Sequence, residues 1–199
     1  MSIQQTVVIT GANSGIGRST ALLLAAKGYE VFATMRSFAR GEKLRALAAE
    51  RELEITEIEL DVADEESVRK GFNEILEASD KVDVLVNNAG VGSNAAIEDI
   101  DMESAKRVFE ANFWGAIRCT QAVLPAMREQ RSGHLVQISS IAGRVGLPGQ
   151  PVYSASKWAL EGLSENLAHD LSAHGIRVSV IEPGVTRTAI LGKNSEVPD

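Results

Sequence analysis

Short apolar segments alternate with longer amphipathic ones along the whole chain, and this alternation constrains the fold more than any other feature. Six short runs are rich in Val and Ile, as strands buried on both faces are: residues 6–10, 30–35, 54–60, 82–87, 133–139 and 177–182. Between them, helical periodicity predicts helices over residues 15–27, 41–51, 65–79, 102–130 and 152–173. A repeated strand-then-helix order predicts a parallel sheet with right-handed crossovers.

The expected fold class is therefore α/β, a doubly wound Rossmann-type parallel sheet with helices on both faces. The 199 residues suffice for one such domain, and no linker, repeat or low-complexity block interrupts the pattern, so a single domain over residues 1–199 is predicted. In sheets of this kind, ligands bind beyond the carboxyl ends of the strands. We therefore look for site residues at those ends.

Charge and composition restrict the partners and the compartment. The formal net charge is −7 and the sequence pI is about 5.1, so a nucleic-acid partner is not expected. Cys119 is the only cysteine, which rules out an intrachain disulfide and fits a reducing compartment. The N-terminus lacks the pattern of a secretory signal, and no stretch reaches the ~18 apolar residues of a membrane span. A cytoplasmic protein with no membrane span is predicted.

A glycine-rich loop directly follows the first predicted strand and precedes a predicted helix. Gly11 permits a tight turn, Gly15 lets the backbone approach a pyrophosphate, and Gly17 lets the helix pack closely on the strand. The helix N-terminus offers free N–H groups to phosphate. A plain structural turn is the alternative. The predicted cofactor contacts in this loop are Gly11, Asn13, Ser14, Gly15, Ile16 and Gly17.

The end of the second predicted strand indicates which dinucleotide is bound. An Asp or Glu there would accept hydrogen bonds from ribose hydroxyls, but the sequence has Arg36, which can pair with a 2′-phosphate. A solvent-facing Arg36 is the alternative. Arg18, just past the glycines, could add positive charge or lie on a solvated helix face. NADP(H) is therefore favoured over NAD(H), which stays possible.

Two further strand ends carry candidate cofactor contacts. Asp61, at the end of the third predicted strand, could accept a hydrogen bond from an adenine amino group, or it could be a turn residue; Val62 follows it. Small residues Asn88, Ala89 and Gly90 close the fourth strand and leave room for a cofactor against the backbone, although an Asn-rich turn would look similar.

Tyr153 and Lys157 lie four residues apart on a predicted helix, so their side chains share a face. A free tyrosine, with a pKa of ~10, is almost entirely protonated at neutral pH. A neighbouring ammonium stabilises the phenolate and lowers this pKa, so that the phenol can give a proton to a carbonyl oxygen or take one from an alcohol. The same spacing is also common on helix surfaces that have no catalytic role.

Other chemically active residue types do not form a site. His134, His169 and His174 are scattered and lack metal-ligand spacing, so no metal is expected. Trp114 and Trp158 fall in helical segments, where core or helix–helix packing is expected.

Taken together, the motifs resemble those of the short-chain dehydrogenase/reductase family, in its compact one-domain branch, over essentially the whole chain. The motifs occur in the family's order: Thr10-Gly11-xxx-Gly15-Ile16-Gly17, Asn87-Asn88-Ala89-Gly90, Asn112, Ser140, Tyr153-xxx-Lys157 and Pro183-Gly184.

The resemblance implies a role for each matching residue. Tyr153 would be the catalytic acid/base, and Lys157 would lower its pKa and hold the nicotinamide ribose. Ser140, which has the family's spacing to the tyrosine, would hydrogen-bond the substrate oxygen, whereas Ser139 would lie on the strand. Asn112 would anchor a water that links Lys157 to solvent.

After the last predicted strand, the resemblance implies further contacts near the nicotinamide. These come from Pro183, Gly184 and Thr188, with Thr186 where the family usually has Val. Family members usually continue past this point with a helical substrate lid and one more strand, but this sequence ends at Asp199. The lid and the last strand are therefore expected to be absent after residue 190.

The resulting prediction is an NADP(H)-dependent oxidoreductase that transfers a hydride between nicotinamide and a ketone, an aldehyde or a secondary alcohol, as a carbonyl reductase would. One alternative is a non-catalytic dinucleotide-binding or redox-sensing module. Another is an epimerase or dehydratase on a related fold, which the three residues between Gly11 and Gly15 disfavour. The resemblance also implies a homodimer or homotetramer that assembles through the helices near residues 102–130 and 152–173. The substrate itself stays open.

Overall fold

All six strands of the computed structural model, which describes residues 4–186, are parallel and lie in one sheet. The sheet order is β3-β2-β1-β4-β5-β6, with strands β1 Thr6–Ile9, β2 Glu30–Met35, β3 Thr56–Glu59, β4 Val84–Asn87, β5 Gly133–Ile138 and β6 Ile176–Ile181. The order reverses between β1 and β4, so their carboxyl ends diverge and leave a crevice where ligands bind in such sheets. The predicted fold class is confirmed.

Six α-helices connect the strands and cover both faces of the sheet. Their bounds are α1 Gly15–Ala26, α2 Glu42–Glu50, α3 Glu65–Ser79, α4 Met102–Phe109, α5 Gly115–Gln130 and α6 Pro151–Ser172. Helices α3, α5 and α6 bury Phe72, Val123 and Leu171 in the core on one face. Helices α1 and α2 bury Leu22 and Leu44 in the core on the other.

Helix ends follow the capping residues that the sequence carries. The Asp64 side chain accepts a hydrogen bond from the Ser67 N–H at 2.9 Å and caps the N-terminus of α3. Gly28 and Gly175 follow α1 and α6 with φ of +83° and +73°, a left-handed conformation that glycine adopts without strain.

The predicted helix over residues 102–130 differs from the observed one in a single respect. A π-helical turn, Glu110–Trp114, separates α4 from α5. Such a turn contains one extra residue, which rotates the side chains that follow it around the helix axis. π-Helical turns are often found at functional sites. Here it carries Asn112, whose side chain is buried. Hydrophobic periodicity alone does not reveal this local change of pitch.

Among residues 4–186, no helix is both long enough and apolar enough to cross a membrane.

Candidate active site

The glycine loop between β1 and α1 forms the nucleotide end of the site. Gly11 and Gly15 have φ of +64° and +56°, backbone angles that residues other than glycine rarely adopt. A Cβ on Gly11 would come within 2.9 Å of the Ala89 Cα, and a Cβ on Gly17 would meet the Gly11 carbonyl oxygen at 2.8 Å. The loop is therefore folded against the segment after β4, and only glycine fits at its closest approaches.

Thr10 joins the end of β1 to the end of β4. The sequence showed it only as part of the glycine motif. Its hydroxyl accepts hydrogen bonds from the Asn88 and Ala89 N–H groups, both at 2.9 Å, and donates to the Val86 carbonyl at 3.3 Å. The Asn88 side chain donates in return to the Thr10 carbonyl at 2.8 Å. The predicted cofactor contacts after β1 and β4 are thus brought side by side.

Two arginines flank the nucleotide end. Arg36 follows β2 directly and is exposed, so its guanidinium is available to an anion outside the sheet. The Arg18 guanidinium donates to the Asn13 carbonyl in the glycine loop at 3.3 Å. Both stand at the carboxyl edge of the strands, where a 2′-phosphate would lie if NADP(H) binds as the sequence predicts.

Asp61 has a structural role in the turn after β3. One carboxylate oxygen accepts from the Ala63 N–H at 3.0 Å, and the Asp61 N–H donates to the Ser67 hydroxyl at 2.9 Å. Val62 is buried in the core. Asp61 is therefore a turn residue, and its contact with adenine stays a prediction.

Asn112 clamps the segment after β4. Its Oδ1 accepts from the Val91 N–H at 2.8 Å, and its Nδ2 donates to the Val91 carbonyl at 2.9 Å and to the Ser156 hydroxyl at 3.0 Å. Both Nδ2 hydrogens are thus used within the protein. A water predicted at Asn112 would have to bind its backbone carbonyl or the remaining lone pair of Oδ1.

Lys157 is the most deeply buried charged group of the site. It is 4% exposed, and its Nζ donates to the Ile138 carbonyl at 2.8 Å. Nζ lies 5.8 Å from the centre of the Tyr153 ring and 3.7 Å from where a Cβ on Gly90 would be. Burial lowers the pKa of the ammonium to about 8, and the Glu161 carboxylate acts in the opposite direction.

Tyr153 and Ser140 face each other from α6 and from the end of β5. Burial raises the pKa of the Tyr153 phenol. A hydrogen bond with the Ser140 hydroxyl acts in the opposite direction but is the smaller effect. The lowering of this pKa by the Lys157 ammonium, which the sequence predicts, stays a prediction.

The two adjacent serines have different surroundings. Ser140 caps the short 3₁₀-helix Ile141–Gly143 and accepts from the Ala142 N–H at 3.2 Å, with its hydroxyl on the side of the tyrosine. Ser139 is 3% exposed, and its hydroxyl has no hydrogen-bond partner within the described part of the chain. Ser139 follows the last residue of β5, Ile138, so it is not the strand residue that was predicted, and the site role of Ser140 stays a prediction.

The segment after β6 lies next to the serine loop. The Ile141 N–H donates to the Pro183 carbonyl at 3.0 Å, and the Thr186 hydroxyl donates to the Gly184 carbonyl at 3.1 Å. Thr188 lies outside the described residues. Of the predicted nicotinamide contacts, Pro183 therefore lies beside the loop that carries Ser140, and Gly184 and Thr186 follow it in the same segment.

Histidine, tryptophan and the single cysteine were not assigned to the predicted site. The structure, over residues 4–186, holds no group of three or more His, Cys, Asp or Glu side chains that could bind a metal. Trp114 and Trp158 are 46% and 54% exposed, so neither is a core residue, which was one of the two expectations; packing between helices stays a prediction. Cys119 is buried in the core, and burial raises the pKa of its thiol to about 12.

The residues present fit a dinucleotide. The loop glycines leave the space a Cβ would fill, the first turn of α1 begins there, and the polar groups of Ser140, Tyr153 and Lys157 lie at the neighbouring strand ends. Such an arrangement can hold a phosphate-bearing ligand at one end and exchange a proton with a substrate oxygen at the other.

Comparisons with known proteins agree with this geometry. The sequence profile of short chain dehydrogenases matches residues 5–198. Human retinol dehydrogenase 8 is 44% identical over 193 residues, which cover 95% of this chain. The chain spans 61% of the length of that relative.

Solved structures show the same fold. A short-chain dehydrogenase from Streptomyces avermitilis superposes with a TM-score of 0.88 at 38% identity, over 94% of this chain and 68% of that one. The structure of ElxO with NADP bound superposes with a TM-score of 0.89 at 32% identity, over 96% of this chain and 77% of that one.

Proposed function

The chain belongs to the short-chain dehydrogenase family, and from this we propose that it is an NADP(H)-dependent oxidoreductase acting on a ketone, an aldehyde or a secondary alcohol. The observation that carries the proposal is the meeting of Ser140, Tyr153, Lys157 and Asn112 beside the glycine loop, although they come from three separate segments. A module that only binds a dinucleotide has no need of this set.

Each residue has a distinct part in the proposed reaction. Ser140 donates a hydrogen bond to the substrate oxygen, and in the reductive direction Tyr153 transfers its phenolic proton to that oxygen. Lys157 holds the ribose and, in its ammonium form, favours the phenolate that is left. Asn112 keeps the segment after β4 in place. NADPH, when bound, supplies the hydride.

The preference for NADP(H) rests on charge at the nucleotide end. Arg36 is exposed at the end of β2, where an acidic residue would disfavour a 2′-phosphate. The glycine loop would hold the pyrophosphate at the N-terminus of α1, with Asp61, Asn88 and Gly90 along the same cleft. The NADP in the related ElxO structure supports this choice.

Assembly and location are further parts of the proposal. A homodimer or homotetramer would bring together the surfaces of the helices near residues 102–130 and 152–173. Trp114, in the π-helical turn before α5, and Trp158, on α6, are half exposed there, although large apolar side chains favour burial. A cytoplasmic location is consistent with the single cysteine being a buried thiol.

Turnover with NADPH and a panel of aldehydes and ketones tests the proposal, because NADPH absorbance falls as the hydride leaves. We expect the wild-type chain and Tyr29→Phe to consume NADPH, and Tyr153→Phe to lose this activity. Tyr29 is the other tyrosine of the chain and packs against the core away from the site, so it is a matched control. Equal activity of all three proteins would refute the assignment of Tyr153.

A further inference from the structure

Glu161 is a buried acid that the proposed reaction does not use. It lies on α6, four residues after Lys157, and is 5% exposed. Neither carboxylate oxygen has a hydrogen-bond partner among the described residues. Because a buried carboxylate without hydrogen bonds is costly, its presence one helical turn from the proposed catalytic lysine calls for an electrostatic explanation.

The loop after Ser140 packs directly on this carboxylate. A Cβ on Gly143 would lie 3.1 Å from the Glu161 Cγ and 3.2 Å from its Oε1, so glycine allows the close approach. The Arg144 guanidinium lies 3.5 Å from Glu161 Oε2. Glu161 is thus enclosed by the helix that carries Tyr153 and Lys157 and by the loop that carries the site serine.

Few other charges face this group. Arg144 also pairs with Glu182 at 2.8 Å, at the end of β6, and with Glu165 at 3.9 Å, one turn further along α6. Arg144 is about half exposed and shared among three carboxylates, so it offsets the negative charge of Glu161 only in part. On its buried side, Glu161 has Lys157 as the neighbouring cation on the same helix.

We infer that Glu161 is a positioning residue of the catalytic site, whose buried carboxylate holds Lys157 in the ammonium form and joins the catalytic helix to the serine loop. The effect of Glu161 on catalysis rests on the proposed function. Burial alone drives Lys157 toward the neutral amine, and Glu161 is the group that opposes this. A neutral amine could not stabilise the phenolate of Tyr153.

Removal of the charge from Glu161 should therefore change when Lys157 loses its proton. Glu161→Gln keeps the shape of the side chain and removes its charge. We expect the pKa of Lys157, followed by NMR of isotope-labelled lysine and assigned by its loss in Lys157→Met, to fall by about 1 unit. The alkaline limb of the kcat/KM profile should move to lower pH by the same amount, with the KM for NADPH little changed.

Glu165→Gln is the matched control. Glu165 lies on the same helix and pairs with the same Arg144, but it is exposed. We expect its removal to leave both the Lys157 titration and the pH profile unchanged. A carboxylate that only stabilised the fold would lower the free energy of unfolding without moving either one.

Arg144→Gln provides a test that does not require a change at the buried position. Loss of the outer cation should strengthen the field of Glu161 at Lys157 and raise the pKa of Lys157. If Glu161→Gln does not fold, this variant decides, and an unmoved Lys157 titration in it overturns the inference. If Glu161→Gln folds and Lys157 titrates as in the wild type, the inference is equally overturned.

The NMR titration needs no turnover, so the two proposals can fail separately. If the pKa of Lys157 falls in Glu161→Gln but the wild-type chain reduces no carbonyl, the electrostatic role of Glu161 stands and the proposed activity is rejected. If the wild-type chain reduces carbonyls but the pKa of Lys157 is the same in Glu161→Gln, the activity stands and the role of Glu161 is rejected.

Discussion

The nucleotide end and the catalytic end of the crevice are built in opposite ways. At the nucleotide end, the groups offered to a ligand are backbone N–H groups, glycines without side chains and an exposed arginine at position 36. At the catalytic end, they are side chains fixed in a buried network, in which Lys157 and Asn112 are 4% and 1% exposed. The glycine loop is a single segment of the sequence, whereas the catalytic residues come from the π-helical turn between α4 and α5, the loop after β5, and α6.

The difference teaches how the two ends should respond to substitution. Groups that only bind a cofactor contribute equally before and during the reaction, so their loss should raise KM or Kd and leave kcat nearly unchanged. Groups that act on the reacting oxygen should lower kcat. Burial of charge at the catalytic end also costs stability, which the exposed nucleotide end avoids.

Apart from the loss of activity in Tyr153→Phe, the largest effect is expected at the serine that faces this tyrosine. Ser140→Ala removes a donor to the substrate oxygen and should lower kcat by about 10²-fold or more, with NADPH affinity retained. Steady-state kinetics with a carbonyl substrate measures it. Ser139→Ala is the matched control and should stay within a few-fold of the wild type. Equal losses in both variants would contradict the assigned roles.

The second effect is a pH dependence of stability that belongs to the catalytic end. Because the pKa of Lys157 is lower in the folded state, about 8 against 10.5, the unfolded chain binds more protons between these values, and stability rises with pH across that window. The gain should approach about 3 kcal/mol. Urea unfolding at about pH 7 and about pH 10 measures it.

Lys157→Met is the control for this dependence. Cys119, with its pKa raised to about 12, acts with the opposite sign as the pH rises above 9.0, the pKa of an ordinary thiol. Subtraction of the Lys157→Met data removes this contribution, since both proteins keep the cysteine. Identical pH dependences in the two proteins would show that Lys157 is not titrating as described.

The third prediction probes the close approach in the glycine loop. Gly11→Ala adds a Cβ 2.9 Å from the Ala89 Cα at a φ of +64° and should lower stability by about 2 kcal/mol and weaken NADPH binding. Gly28→Ala has a similar φ, +83°, but no atom within 4 Å. It should cost about 1 kcal/mol and leave NADPH binding unchanged. Thermal unfolding and NADPH titration separate the two.

The smallest effect is expected at the exposed arginine. Arg36→Ala should weaken NADPH binding by about tenfold, which corresponds to ~1.4 kcal/mol, and leave NADH binding and kcat nearly unaltered. Arg40→Ala, also exposed and close in sequence, is the control. Equal Kd values of wild type and Arg36→Ala for NADPH would remove the argument for NADP(H).

The sequence predicts the nucleotide end better than the catalytic end. Gly11, Gly15 and Gly17 lie in one short loop, and each is required there by a positive φ or by a close approach of the backbone, so their role can be predicted from the local sequence. The π-helical turn at Asn112 does not, because periodicity is insensitive to one extra residue.

Long-range burial is the other limit of sequence reasoning. The raised pKa of Tyr153 depends on what packs around the phenol, and Glu161 looks like an ordinary polar position of an amphipathic helix. Its contact with Gly143 and its 3.5 Å pair with Arg144 arise only when the helix meets the loop after β5. A glutamate four residues after the lysine therefore gave no signal by itself.

Transfer of a deuterium label tests the central claim most directly. NADPH deuterated at the transferable position of its nicotinamide is incubated with the chain and a carbonyl substrate, and the alcohol is analysed by mass spectrometry. The account predicts one deuterium on the carbinol carbon with the wild-type chain and none with Tyr153→Phe, although both bind NADPH. Tight NADPH binding by the wild type with no label in any alcohol would contradict it and would identify a dinucleotide-binding module.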